Sequence, residues 1–115
     1  MKPPHYALFA EAGPLVFLSG QLGVGTDGKL IDGGVAEQTS QVLANIEGVL
    51  AKLGLTGADV IKTTVWLRPG TEFFAFNDSY ADFFGEHQPA RTTVYSDLML
   101  PGAAVEIEAI ALRRS

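Results

Sequence analysis

The sequence contains no cysteine among its 115 residues. This absence excludes disulfide bonds, thiolate nucleophiles and thiolate metal sites. Basic residues are also scarce, with 8 lysines and arginines against 13 aspartates and glutamates, for a net charge of −5. That balance disfavours nucleic-acid binding and docking on anionic membranes, because both need an excess of positive charge.

Long apolar runs are missing as well. No stretch approaches the ~20 residues that span a bilayer, and the opening residues, MKPPHYALF, lack the apolar segment of a secretory signal. We therefore expect a cytoplasmic protein. With 47% hydrophobic and 18% charged residues, the chain has enough apolar surface for one core. Residues 1–115 are expected to form a single domain.

Hydrophobic periodicity predicts two helices and at least five strands. The predicted order is strands His5–Ala10 and Leu15–Gln21, helix Val35–Leu53, strand Val60–Arg68, helix Thr71–Phe84, and strands Arg91–Ser96 and Ala104–Leu112. Lys29–Ile31 is a candidate for a short sixth strand. This order predicts an α+β fold with one five- or six-stranded sheet and both helices on one face. Few residues remain to cover the other face, which favours an oligomer.

Arg91 is the first candidate for charge recognition. It begins a β-branched strand in which alternation places Arg91, Thr93 and Tyr95 on one face. A guanidinium beside apolar and hydroxyl side chains can clamp a carboxylate, because its planar fork reaches two oxygens at once. The alternative is an ordinary solvated arginine at a strand end.

Two glutamates of the last strand form a second candidate. Glu106 and Glu108 share a face opposite Val105 and Ile107, and that face continues with the aliphatic Ile110. Carboxylates placed among aliphatic side chains are candidates for a raised pKa. The alternative is a half-exposed sheet face with ordinary surface glutamates.

Other polar residues give weaker signals. Asn77 lies within the aromatic stripe of the second helix, where an amide more often caps a backbone group than binds a ligand. Tyr6 and Tyr95 could line a pocket or simply pack. His5 and His87 lack carboxylates at ligand spacing, so no metal site is expected.

Several segments occur together in a recognisable order. Near the C-terminus stand Pro89–Val94 (PARTTV), Leu100-Pro101 and Val105–Ala111 (VEIEAIA), and upstream stand Ser19-Gly20-Gln21, Val60–Val65 (VIKTTV) and Phe76-Asn77. In order and spacing they resemble the RidA family, also called the YjgF/YER057c/UK114 family, over almost the whole chain.

The resemblance implies a chorismate-mutase-like α+β fold with a mixed sheet. It also implies a homotrimer with clefts between subunits. The activity it implies is hydrolysis of reactive 2-imino and 2-enamino acids to 2-oxo acids and ammonia, with no metal and no organic cofactor. The expected partners are therefore the small imino, enamino or 2-oxo acid and two further copies of the chain.

The family's site residues carry over one by one. Arg91 matches the arginine that clamps the substrate carboxylate, and Glu106 matches the glutamate that positions the attacking water. Family members often have cysteine two residues after the arginine, where this chain has Thr93. The substrate-binding residues carried over are Tyr6, Gly20 and Asn77, with Thr93 in the place of the cysteine.

Three functions remain open at this point. The first is imine hydrolysis, and the second is a metabolite-binding or chaperone-like trimer that uses the same cleft without turnover. The pairing of Arg91 with Glu106 favours the enzyme, because a pure binder does not need the glutamate. The third is RNA cleavage, which the acidic composition disfavours.

Overall fold

The computed structural model describes residues 1–114, and Ser115, the last residue of the predicted domain, lies outside the described residues. Within that range the elements are β1 (Phe9–Ala12), β2 (Leu15–Leu22), α1 (Val35–Lys52), the short 3-10 helix Gly57–Asp59, β3 (Val60–Leu67), α2 (Phe73–Phe84), β4 (Ala90–Tyr95) and β5 (Val105–Leu112). In the same range no helix is long and apolar enough to cross a bilayer.

One mixed sheet has the strand order β1-β2-β5-β3-β4. All neighbours are antiparallel except β3 and β4, which run parallel and are joined through α2. The two helices cover one face, which confirms the predicted α+β architecture. The sheet of residues 1–114 has five strands rather than six, because the segment Lys29–Ile31 makes a single bridge between Val24 and Leu30 instead of a ladder.

The core lies between this face and the helices. On α1 the buried residues Val42, Leu43, Ile46 and Leu50 recur at three- and four-residue spacing, as the sequence pattern predicts. Every second residue of β5 is buried and the residues between are half-buried. The alternation therefore assigns one face of β5 to the core and leaves the other open.

The open face of the sheet is apolar in part. Phe17 is 41% exposed while its neighbours Val16 and Leu18 are buried, so within one chain β2 is covered on one face only. Trp66 on β3 and Ile110 on β5 are half-buried on the open side.

Both ends of α2 are capped. Glu72 precedes α2, and its carboxylate accepts hydrogen bonds from the backbone N–H groups of Phe74 at 2.9 Å and Ala75 at 2.7 Å. This cap explains why α2 begins at Phe73 rather than at Thr71. At the other end Gly85 has φ +63, a positive value that glycine adopts without strain.

The first strand differs from the prediction. It covers Phe9–Ala12 rather than His5–Ala10. The two-residue turn Gly13-Pro14 sets the register, in which Ala12 faces Leu15 and Phe9 faces Leu18. Beyond Leu18 the strand β2 shifts its register against β5, and pairing resumes with Gln21 opposite Ile107 and Leu22 opposite Glu106.

A buried amide ties α1 to the loop before β5. Gln38, 4% exposed, donates from Nε2 to the carbonyl of Gly102 at 3.2 Å and accepts from the N–H of Ala104 at 2.8 Å through Oε1. The side chain thereby satisfies one backbone acceptor and one backbone donor. Both groups lie outside regular secondary structure.

Replacing Gln38 should therefore destabilise the protein. Gln38→Ala leaves these two backbone groups unpaired, and we expect it to lower the free energy of unfolding by about 2 kcal/mol. Urea denaturation monitored by circular dichroism measures the change. Ser40→Ala on the exposed side of α1 is the matched control and should change stability by less than about 0.5 kcal/mol. Equal stabilities of Gln38→Ala and the control would contradict this role.

Candidate functional site

Arg91 lies on the helix side of the sheet, because it stands opposite the buried Thr63 in the β3–β4 ladder. Its guanidinium carbon is 4.8 Å from the ring centroid of Tyr80 and 5.4 Å from that of Phe76. Nη1 donates a hydrogen bond of 3.0 Å to Oδ1 of Asn77. The guanidinium is held in one orientation by the aromatic rings below it and by the amide of Asn77 beside it.

Among residues 1–114 the guanidinium has no carboxylate partner. In residues 1–114 the ion pairs are Arg113 with Glu11 and Arg114 with Asp59, and neither includes Arg91. The hydrogen bond to Asn77 uses one of its five N–H donors. A half-buried cation that is held in place and has free donors is suited to binding an anion in two-point geometry.

Tyr80 forms the floor beneath this cation. Its hydroxyl lies 2.7 Å from Oγ1 of the buried Thr63. Burial raises the pKa of Tyr80, although the bond to Thr63 and the charge of Arg91 oppose the rise. The phenol is therefore neutral at physiological pH, and its ring offers an uncharged face to the guanidinium.

A cavity of about 450 Å³ opens beside Arg91. It lies between α2 and the segment that leads into β4, and its walls include Asn77, Tyr80, Phe84, His87 and Pro89. Its volume falls in the range of small-molecule sites, and it combines aromatic walls with a few polar groups.

Glu106 occupies the opposite face of the sheet. It stands opposite Trp66 on β3, three residues beyond Thr63, and a three-residue step along a strand changes the face. Its carboxylate lies directly over Gly20 of β2. A Cβ added at Gly20 would collide with Oε2 of Glu106 and lie 3.2 Å from its Cδ. Glycine at position 20 thus leaves the space that the carboxylate fills.

The surroundings make Glu106 a stronger base than an ordinary glutamate. Burial raises its pKa above the usual 4.5, and the nearby charge of Glu108 raises it further. An ionised carboxylate with a raised pKa accepts a proton more readily. The arrangement can therefore orient and deprotonate a water molecule.

The predicted site residues consequently fall into two groups. Arg91 and Asn77 lie on the helix side of the sheet, and Glu106 and Gly20 lie on the open side. Thr93 follows Arg91 by two residues and is half-buried on the same side. Within one chain the sheet itself separates the guanidinium from the carboxylate.

The backbone next to Tyr6 lies near Gly20, which is in the second group. Its ring is 67% exposed. The next residue, Ala7, accepts a hydrogen bond of 2.6 Å from the hydroxyl of Ser19, which directly precedes Gly20. The segment that carries Tyr6 is thereby tied to β2 at the position next to the glutamate.

Comparisons with known proteins agree with this architecture. A protein-family model described as Endoribonuclease L-PSP matches residues 3–113. A structure from Mycobacterium tuberculosis, described as a member of the YjgF/YER057c/UK114 family, is 33% identical, covers 93% of this chain and 86% of its own, and has a TM-score of 0.80. The chain belongs to the YjgF/YER057c/UK114 family.

Two further relatives of this family are informative. A goat protein named 2-iminobutanoate/2-iminopropanoate deaminase is 39% identical over 99 residues, which are 85% of this chain and 72% of the relative. The crystal structure of Escherichia coli TdcF with bound serine is 32% identical, covers 98% of this chain and 91% of its own, and has a TM-score of 0.88. The YjgF/YER057c/UK114 family thus includes enzymes named as deaminases, and the resemblance inferred from the motifs is confirmed.

Sequence reasoning missed two parts of the site. The sequence identified the aromatic residues under Arg91 only as a stripe on the second helix, although their spacing on α2 and the alternation of β4 together could have brought them to the guanidinium. For His87 the sequence indicated no partner, and no metal site was expected there. Its Nε2 instead bonds the carbonyl of Val60 at 2.6 Å, and in residues 1–114 no three His, Asp or Glu side chains converge as metal ligands would.

The environment of Glu106 can be measured directly. We expect carboxyl-carbon NMR titration to give a pKa for Glu106 above the usual 4.5. Glu108→Gln should lower that pKa, because it removes the neighbouring negative charge. Glu47→Gln on the exposed surface of α1 is the matched control and should leave it unchanged. A Glu106 pKa at or below 4.5, or one that is the same in Glu108→Gln as in wild type, would contradict the assignment of the shift to burial and to Glu108.

Proposed function

We propose that this protein hydrolyses 2-imino and 2-enamino acids to 2-oxo acids and ammonia, in a cleft formed between subunits of a homotrimer. The observation that carries the proposal is the unpaired guanidinium of Arg91, held by Asn77 at 3.0 Å above the ring of Tyr80. Such a group binds the one feature that all these substrates share, a carboxylate next to the reacting carbon.

Two relatives support this substrate class. The goat relative is named a deaminase of 2-iminobutanoate and 2-iminopropanoate, and TdcF is described with bound serine, an amino acid whose carboxylate adjoins a nitrogen-bearing carbon. Holding the carboxylate on Arg91 fixes the position of the C=N carbon, and that positioning supplies a large part of catalysis.

Glu106 supplies the base for the addition of water to the imine carbon. Its carboxylate takes a proton from water while the water oxygen bonds to the imine carbon, and the C=N electron pair moves to nitrogen. The proton then passes to nitrogen and gives a carbinolamine. Glu106 next takes the proton of the new hydroxyl and passes it to the amine nitrogen, and the C–N bond breaks as the C=O bond forms. One water is consumed, one 2-oxo acid and one ammonia leave, and Glu106 is ionised again.

The separation of the two residues supports a site built from two chains. Arg91 and Glu106 lie on opposite faces of their own sheet, so a ligand that touches both takes Arg91 from one subunit and Glu106 from its neighbour. The open sheet face, with Phe17 41% exposed, supplies apolar surface for such contacts. Head-to-tail contacts of this kind close into a ring, and the family resemblance implies a ring of three.

RNA cleavage is the weaker alternative, although the family model carries an endoribonuclease description. The net charge of −5 opposes binding to a polyanion. Arg91 lies at a cavity wall rather than in a basic stripe. Binding without turnover is the other alternative, and the proposed base role of Glu106 distinguishes it from the enzyme.

Arg91→Ala should abolish imine hydrolysis and the binding of 2-oxo acid products. The loss of one charge-assisted clamp corresponds to about 2–4 kcal/mol, or roughly 30- to 1000-fold in affinity or rate. Arg91→Lys should retain a small part of both, because it keeps the charge and loses the two-point geometry. Calorimetric titration with 2-oxobutyrate and decay of 2-iminobutanoate generated in situ measure the two effects.

Matched variants separate clamp from base. Glu106→Gln should keep part of the 2-oxobutyrate binding and lose turnover. Glu108→Gln should keep both binding and turnover. Arg114→Ala is the control for the loss of a surface cation. Light scattering should give three times 12.2 kDa for every variant. If the trimeric Arg91→Ala protein binds and turns over like wild type, the carboxylate clamp is wrong.

A further inference from the structure

We propose that the cavity beside Arg91 receives an aromatic substrate side chain, and that His87 favours rings that carry a hydrogen-bond donor. The inference rests on the proposed function in one respect, the binding of the substrate carboxylate by Arg91. It adds a substrate class, aromatic 2-imino acids with a polar ring substituent, and a residue that selects it.

The cavity is large for a short aliphatic substrate. Its volume of about 450 Å³ lies in the range of pockets that bury drug-sized ligands. The methyl or ethyl side chain of 2-iminopropanoate or 2-iminobutanoate would leave most of it filled with water. A larger side chain that starts at Arg91 has room to extend into it.

The walls of the cavity suit a flat ring. Asn77, Ala81 and Phe84 line the cavity from one face of α2, at helical positions that span about 10 Å along the axis. The rings of Tyr80 and Phe84 lie 4.8 Å apart, centroid to centroid. The small Ala81 leaves space in front of them. A ring can therefore pack against Phe84 while its carboxylate remains on Arg91.

His87 lines the cavity, and its tautomer leaves one ring nitrogen as a hydrogen-bond acceptor. Its Nε2 lies 2.6 Å from the carbonyl oxygen of Val60, and a carbonyl only accepts, so Nε2 carries the hydrogen. In the neutral ring Nδ1 is then an acceptor, and it has no hydrogen-bond partner among residues 1–114. A hydroxyl or N–H on the substrate ring can donate to it.

Three 2-oxo acids test the pocket by calorimetric titration: 2-oxobutyrate, phenylpyruvate and 4-hydroxyphenylpyruvate. Phenylpyruvate should bind at least about 10-fold more tightly than 2-oxobutyrate, because its ring is buried in the cavity. The added hydroxyl should contribute a further factor of roughly 2 to 10, the effect of one hydrogen bond. All three affinities should depend on Arg91.

Two variants address the pocket separately. His87→Leu should remove the preference for the hydroxyl while the preference for the ring stays. Ala81→Leu should fill the cavity and remove the preference for the ring while 2-oxobutyrate binds as in wild type. Asp82→Leu places the same leucine side chain on α2 outside the cavity and should change neither ratio. Thermal unfolding establishes that each variant is folded.

The outcomes distinguish this inference from the proposed function. Arg91-dependent binding of all three acids with equal affinity overturns the pocket and leaves the clamp intact. A ring preference that survives Ala81→Leu, or a hydroxyl preference that survives His87→Leu, also overturns the corresponding assignment. Binding of none of the three acids overturns both the pocket and the clamp.

Discussion

The period-two alternation of side chains along β3 and its neighbours determines how this molecule can work. Thr63 and Trp66 lie three residues apart on β3 and therefore on opposite faces, and each has a charged residue beside it, Arg91 next to Thr63 and Glu106 next to Trp66. One sheet thus presents a cation on its helix side and a base on its open side. The proposed site therefore takes the two groups from different chains.

Both charged groups are held at some cost to the fold. Arg91 is half-buried without a carboxylate partner, although aromatic rings and Asn77 offset part of its desolvation. Glu106 has a raised pKa, so the folded state binds its proton more tightly than the unfolded chain does. The stabilising effect of the protonated Glu106 is therefore lost as the pH rises through that pKa, and the ionised carboxylate destabilises the folded state.

The sequence predicted the fold well where periodicity was strong. The helix α1 and the strands β2, β3 and β5 lie within a residue of their predicted bounds, because each has a clear pattern of buried positions. The first strand was misplaced because its register depends on pairing with β2, which local pattern does not reveal. The separation of Arg91 from Glu106 was also not evident from the sequence, since it depends on the strand order β5-β3-β4. The hydrogen-bond partner of His87 could not be predicted either, because it depends on tertiary packing.

Subunit complementation tests the central claim most directly. Arg91→Ala lacks the clamp and Glu106→Gln lacks the base, and each alone should be inactive. The two variants are denatured, mixed in equal amounts and refolded together. One interface in four then pairs an intact Arg91 with an intact Glu106 from the neighbouring chain, so about a quarter of wild-type activity should return. Mixed trimers that form and stay inactive would show that no site combines the two residues across an interface, and the proposed two-chain site would be wrong.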